Sequence, residues 1–191
     1  MNAVVFDIET QNTFADVAND WRKLRLSVVS IYRYQANAYE SFTEPELGRL
    51  WPVLEHADLL IGYNSEHFDL PVLNNYYLGD LSRLPHLDLM LKIKAALGFR
   101  LKLDDVAQAT LKDIKKSATG LEAMRWWKEG KTEEVKRYCE QDVRVTKELY
   151  EFGLNNGQLR YRTLTGEILT FPVNFQATPA SAARINLTLP L

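Results

Sequence analysis

The chain has 191 residues, 46% of them hydrophobic and 25% charged, which is the length of one domain with enough apolar content to bury a core and excludes both a disordered tail and a disulfide-framed miniprotein. Its single cysteine, Cys139, cannot form an internal disulfide, no apolar run approaches the roughly 18 residues of a membrane span, and the N-terminus lacks a basic signal region, so a soluble cytoplasmic protein is expected. A formal charge of −2 and a pI near 6.0 exclude an indiscriminate basic coat for nucleic acid.

Residues 3–9, AVVFDIE, form a β-branched and aromatic run that reads as a strand. A polar, irregular loop with Trp21 exposed follows over 11–24, and 25–34 and 38–42 read as two strands of an antiparallel meander. Thr43 and Glu46 make a capping-box pattern, with Pro45 at the start of a helix running to about residue 56. Residues 58–64 are a buried-type strand, and a helix is expected over 66–78 with Gly79 closing it. The segment from His86 enters an amphipathic helix that stops near Gly98, and shorter helices are expected over 103–111 and 119–128. A long helix over 132–153 places Glu133 and Glu134 in its first turn, where the helix dipole favours acids. Residues 158–175 read as a hairpin turning at Thr165-Gly166, with Leu169, Phe171, Val173 and Phe175 on one buried face. The tail, 176–191, leaves open an arm, an edge strand or disorder. Three strands, a helix, a strand and then mostly helices give an α/β fold, a mixed central sheet with helices on both faces. The expected organisation is residues 1–157 as the main unit, with 158–191 as a hairpin and tail packed on it.

Carboxylates stand where a core should have none. In the first strand Val4, Phe6 and Ile8 share one face and Val5, Asp7 and Glu9 the other, so the two acids lie roughly 6–7 Å apart on one side. A strand end emerging into solvent would explain them equally well. The apolar stripe of the long helix runs through Val135, Tyr138/Cys139, position 142, Val145/Thr146 and Leu149, and position 142 is Asp. An unpaired buried carboxylate costs several kcal/mol, so Asp142 needs a cation, a strong hydrogen bond or a proton. Tyr138, one turn earlier, puts a phenol beside it. Asp69 opens the helix after the strand at 58–64, where a helix cap alone would explain it, but strand ends of open α/β sheets are also where ligands collect. If Asp7, Glu9, Asp69 and Asp142 converge, two charges 4 Å apart repel by about 4 kcal/mol at an effective dielectric of 20. An all-oxygen set of this kind calls for Mg²⁺ or Mn²⁺ rather than zinc, and two such ions are the usual apparatus for attack on a phosphodiester.

Three segments, FDIET (6–10), NSEHFD (64–69) and YCEQD (138–142), resemble the exonuclease motifs of the DEDD (DnaQ-like) superfamily, whose fold is ribonuclease H-like. Tyr-x-x-x-Asp in the third resembles the DEDDy branch, which includes proofreading domains of family A and B DNA polymerases; where the DEDDh branch carries His, this chain has Arg137. The resemblance covers about residues 3–150, and LDDVAQATL and ATGLEAMRWWKEGK are similar to stand-alone bacterial 3′–5′ exonucleases. It implies that Asp7 bridges two Mg²⁺ or Mn²⁺ ions, that Glu9 and Asp142 complete the first site, and that Asp69 supports the second. Tyr138 would orient the attacking water, since an ordinary phenol pKa of about 10 suits it poorly as a base. Asn64 would contact substrate or brace the second motif, and Thr10 and Phe68 would line the pocket for the terminal nucleotides. The implied partner is a single-stranded 3′ end of nucleic acid, with DNA favoured over RNA, and the implied reaction releases nucleoside 5′-monophosphates.

The rivals are an RNA exonuclease on the same fold, a structure-specific endonuclease, and a non-catalytic nucleic-acid-binding module. Around the motifs, His67 reads as an exposed residue at a helix start in preference to a ligand, and Asp88 as a helix cap in preference to a residue steadying the site. Lys112, Lys115 and Lys116, with Arg160 and Arg162, read as solvated surface in preference to a phosphate track, Trp126 and Trp127 as one core and one partly exposed ring in preference to a base-stacking platform, and Cys139 as packing. The basic excess is concentrated between Lys92 and Lys116, seven Lys/Arg against three Asp.

Overall fold

The β-rich start of the chain builds the middle of a sheet. In the computed structural model, which describes residues 1–111 and 118–176, β1 (Ala3–Thr10) lies at the centre of a five-stranded sheet. It pairs antiparallel with β2 (Leu26–Arg33), which pairs with β3 (Ala38–Thr43), and parallel with β4 (Leu59–Gly62), which pairs with β5 (His86–Asp88), giving the order β3-β2-β1-β4-β5. The register of β1 against β2 shifts between Glu9 and Thr10, an irregularity of the kind that re-aims side chains beside active sites.

Alternation along β1 sorts its side chains into two cores. Val4, Phe6 and Ile8 pack with α1 (Leu47–Glu55) and α2 (Asp69–Leu73) on one face of the sheet. On the other, Val5 packs with α3 (Leu89–Leu97), α4 (Leu103–Thr110) and α6 (Thr132–Asn156). A third cluster joins α5 (Gly120–Lys128) to the first half of α6 through Ala123, Val135 and Cys139. The hairpin of β6 (Gln158–Arg162) and β7 (Ile168–Pro172) joins the second core through Leu159, Phe171 and Phe175, the last stacked on Tyr150 with ring centroids 6.3 Å apart.

Several segments depart from the sequence reading. The helix expected over 66–78 is the five-residue α2, because its apparent continuation is diverted by tertiary hydrogen bonds. Asn74 accepts from the Leu81 amide at 2.9 Å, and the Tyr76 hydroxyl accepts from the Leu26 amide at 2.9 Å. Gly79 therefore caps nothing; it makes room for the Tyr77 ring, which a Cβ there would approach to 2.6 Å. The strand at 58–64 is shorter, since Tyr63 and Asn64 turn out of the sheet and Asn64 adopts a left-handed φ of 62°. β5 precedes α3 where only a helix was expected, and α6 runs three residues further than 153 before Gly157, at φ 65°, ends it. Within this segment Phe171 and Phe175 are buried, but Leu169, paired with Tyr161 near the turn end of the hairpin, is 44% exposed. Trp126 and Trp127 are both half-buried, so neither is the core ring expected beside a partly exposed one. Lys112, Lys115, Lys116 and the tail over 177–191 lie outside the described residues. No helix among the described residues is long and apolar enough to cross a membrane.

Candidate metal centre

The carboxyl ends of the three parallel strands β1, β4 and β5 deliver the polar groups of one cleft, as expected of an open α/β sheet. β1 supplies Asp7 and Glu9, and α6, packed across β1 and β2, brings Asp142 to them. One carboxylate oxygen from each of Asp7, Glu9 and Asp142 lies within 4.8 Å of the others. The turn after β4 delivers Asn64, Phe68 and Asp69 to the same cleft, a cavity of about 360 Å³. Asp69 is 3% exposed and accepts from the Ile8 amide at 3.1 Å, which ties the start of α2 to β1 between the two strand acids. Its oxygens stand outside the tight group of three, as part of the cavity wall.

The electrostatics of this cluster are unfavourable as they stand. Asp7, Glu9 and Asp142 are half-buried and line the cleft. Burial first, then the neighbouring carboxylates Asp69, Asp142 and Glu9, push the Asp7 carboxyl well above its ordinary value. Glu9 is raised for the same reasons. Burial lifts Asp69 to about 8 and Asp142 to about 7, the latter against the opposing hydrogen bond from Tyr138. Among the described residues none of the four forms an ion pair with Lys or Arg. A set of oxygen ligands without protein counter-charge fits a hard divalent cation, and Asp7, Glu9 and Asp142 could hold one.

A family profile of the RNase_H superfamily matches residues 4–152, which include all four acids and the sheet that carries them. The chain belongs to the RNase_H superfamily. At the level of fold it is similar to the solved structure of the family B DNA polymerase from the hyperthermophilic archaeon Pyrobaculum calidifontis, with a TM-score of 0.62 at 19% identity. That match covers 81% of this chain and 24% of the polymerase, so the chain spans about a quarter of that protein's length. No curated protein sequence matches it.

Around the acids, this RNase_H superfamily chain places the remaining candidates unequally. Thr10 lines the cavity and its hydroxyl donates to the Asn12 carbonyl at 2.9 Å. Phe68 lines it too, tilted against Phe14 with centroids 5.8 Å apart. Tyr138 does not line the cavity and meets the cluster at Asp142. Its ring packs on Trp126 and faces a neighbouring depression shared with Glu134, Arg137 and Gln141. Burial, followed by the charges of Asp142, Glu9 and Asp7, raises the Tyr138 phenol far above its ordinary value, so it stays protonated. His67 is exposed and does not line the cavity. The Cys139 thiol, which burial also keeps protonated, is a packing residue that touches Asp7, 3.3 Å from its carbonyl oxygen and 3.6 Å from its carboxylate.

Two supports of the site go beyond the sequence reading, which favoured Asp88 as a helix cap alone and gave Ser65 no role. Asp88 caps α3 through the Met90 and Leu91 amides and also accepts from the Asn64 and Glu66 amides at 2.9 and 3.0 Å, so one buried carboxylate holds the turn carrying Asn64 in its left-handed conformation. Ser65, fully buried, pairs with His86 Nε2 at 2.8 Å in the space left by Gly62, whose missing Cβ would collide with the Ser65 side chain. The apolar walls Phe14, Leu24 and Met124 were also missed, since they come from an irregular loop and from a helix whose periodicity signalled only packing. The tandem of Phe and Asp at the end of the NSEHFD turn was the available signal for the aromatic wall.

Proposed function

We propose that this chain is a divalent-metal-dependent 3′–5′ exonuclease of the DEDDy type, acting on single-stranded nucleic acid, DNA before RNA. The observation that carries the reading is the group formed by Asp7, Glu9 and Asp142 with buried Asp69 behind it, lining one cleft and without an ion-paired Lys or Arg among the described residues. Asp7, Glu9 and Asp142 would hold Mg²⁺ or Mn²⁺, and Asp69 would contribute to the site of a second ion. Bound there, divalent cations compensate the carboxylates and the substrate phosphate and make water nucleophilic near neutral pH.

The chain's own residues then have separable tasks. Asp69, held by the Ile8 amide, fixes the spacing between α2 and β1. Phe68 and Phe14 offer paired ring faces to a terminal base, and Thr10 and Asn64 border the place where its sugar would sit. Tyr138 acts as a positioning residue: a phenol that stays protonated can donate a hydrogen bond to the Asp142 carboxylate or to water beside it, but cannot serve as the base.

Digestion of 5′-labelled single-stranded DNA in Mg²⁺ and in Mn²⁺ tests the reading. The expected result is a ladder shortening from the 3′ end, lost with chelator and lost when the 3′ end is blocked. A single internal cut, or a ladder that survives chelation, contradicts it. Parallel RNA lanes assign the sugar preference.

A further inference from the structure

The acidic cavity continues beyond Asn64. Tyr63 and Asn64 form a rim shared with a second cavity of about 500 Å³, whose other walls are Met90, Arg100, Leu101, Lys102 and Leu103. Across this rim the sign of the side-chain charge reverses, from four carboxylates to two cations. Arg100 and Lys102 are exposed, and neither forms an ion pair among the described residues. The acids of the first turn of α4, Asp104 and Asp105, act on Asp142 and Tyr63 and are not walls of this second cavity.

The loop carrying the cations is braced. Gly98, at φ 84°, turns the chain out of α3, and the Tyr63 hydroxyl donates to the Leu101 carbonyl at 2.9 Å, fastening the loop to the end of β4. On the rim itself, the Asn64 side chain has no hydrogen-bond partner among the described residues, and its Oδ1 is buried and unsatisfied.

We infer that the strand upstream of the scissile phosphate crosses the Tyr63–Asn64 rim and lays its backbone phosphates against Arg100 and Lys102. The inference rests on the proposed exonuclease reading and adds to it the direction in which the strand leaves. A polyanion whose end is seated among carboxylates gains by leaving through an adjoining cavity walled by unpaired cations, and sequence-independent phosphate contacts suit an enzyme that must accept each successive nucleotide.

The test is hydrolysis of 5′-fluorescein oligodeoxythymidylates of two to ten nucleotides in Mg²⁺ by the wild type and by the Arg100→Ala/Lys102→Ala double variant. In the wild type kcat/KM is expected to rise with length. The double variant should lose that rise by roughly tenfold, through KM rather than kcat, and its log–log salt dependence on the longest substrate should be shallower by about 1.4, two single-strand phosphate contacts. The Arg49→Ala/Arg83→Ala variant, which removes the same charge from exposed positions on the opposite layer, should keep the wild-type length and salt dependence. Unchanged length and salt dependence in the double variant overturns the inference, and so does an equal loss at every length. If the wild type hydrolyses none of the oligomers, the exonuclease reading fails on its own. Fluorescence anisotropy with the ten-nucleotide probe then decides the groove: weaker binding by the double variant supports it, and equal binding or none contradicts it.

Discussion

Asp88 serves two elements with one carboxylate, capping α3 and holding the amides of Asn64 and Glu66. Replacing it by Ala strands buried donors and removes a cap, so Asp88→Ala should lower stability by about 2–3 kcal/mol, read as a drop in the urea midpoint at constant slope. A change within a few tenths of a kcal/mol would show that water replaces the carboxylate freely. For Tyr138→Phe, loss of a positioning hydroxyl should reduce kcat about 10- to 100-fold while divalent-metal affinity, measured by titration calorimetry, changes little. Residues 7, 9 and 142 were legible because a carboxylate inside an apolar stripe is expensive and demands a reason. Asp69 was not distinctive by itself, since helix starts favour Asp anyway, and Phe14 gave no signal because an irregular loop has no period to violate.

Elements set the distances between those residues. The turn from β4 to α2 depends on Gly62, whose open Cα face receives Ser65 and permits its 2.8 Å contact with His86. Gly62→Ala would force Ser65 out of its buried place and move Asn64 and Asp69 with it. The expected outcome is a loss of about 1–3 kcal/mol by chemical denaturation, with activity falling further than stability explains. Wild-type stability in that variant would mean the turn can repack without moving the site. Faces were easier to read than lengths. Alternation assigned the two sides of β1, and i, i+3, i+4 spacing assigned the buried stripe of α6, because burial alone creates those patterns. The end of α2 is set by hydrogen bonds from the Leu81 amide to Asn74 and from the Leu26 amide to Tyr76, contacts that local periodicity does not register. β5 is three residues long, too short to show a period at all.

For the whole molecule, the acidic cluster predicts an unusual pH dependence. Carboxyl groups raised to about 7 at Asp142 and about 8 at Asp69 hold their protons in the folded state after the unfolded chain has released them near pH 4. Between those limits the native state binds more protons, so the stability contributed by these groups is complete below the unfolded values and is lost as pH rises through the folded ones. In chelator the urea midpoint should therefore fall between pH 5.5 and 8.5, and saturating Mg²⁺ should flatten or reverse the trend. A midpoint rising with pH in chelator would contradict it.

The central claim is that Asp7, Glu9 and Asp142, with Asp69, jointly bind divalent ions, and the most direct measurement is the thermal midpoint with and without Mn²⁺ for the wild type and Asp7→Asn. Ion at about 100 times its Kd stabilises the folded state by about 2.7 kcal/mol, equivalent to roughly 5–10 °C for a chain of this size. The account predicts a rise of that order in the wild type and little in Asp7→Asn, whose metal-free midpoint should lie at or above the wild-type value because one repelling carboxylate is gone. No rise in the wild type, or an equal rise in both proteins, would contradict it.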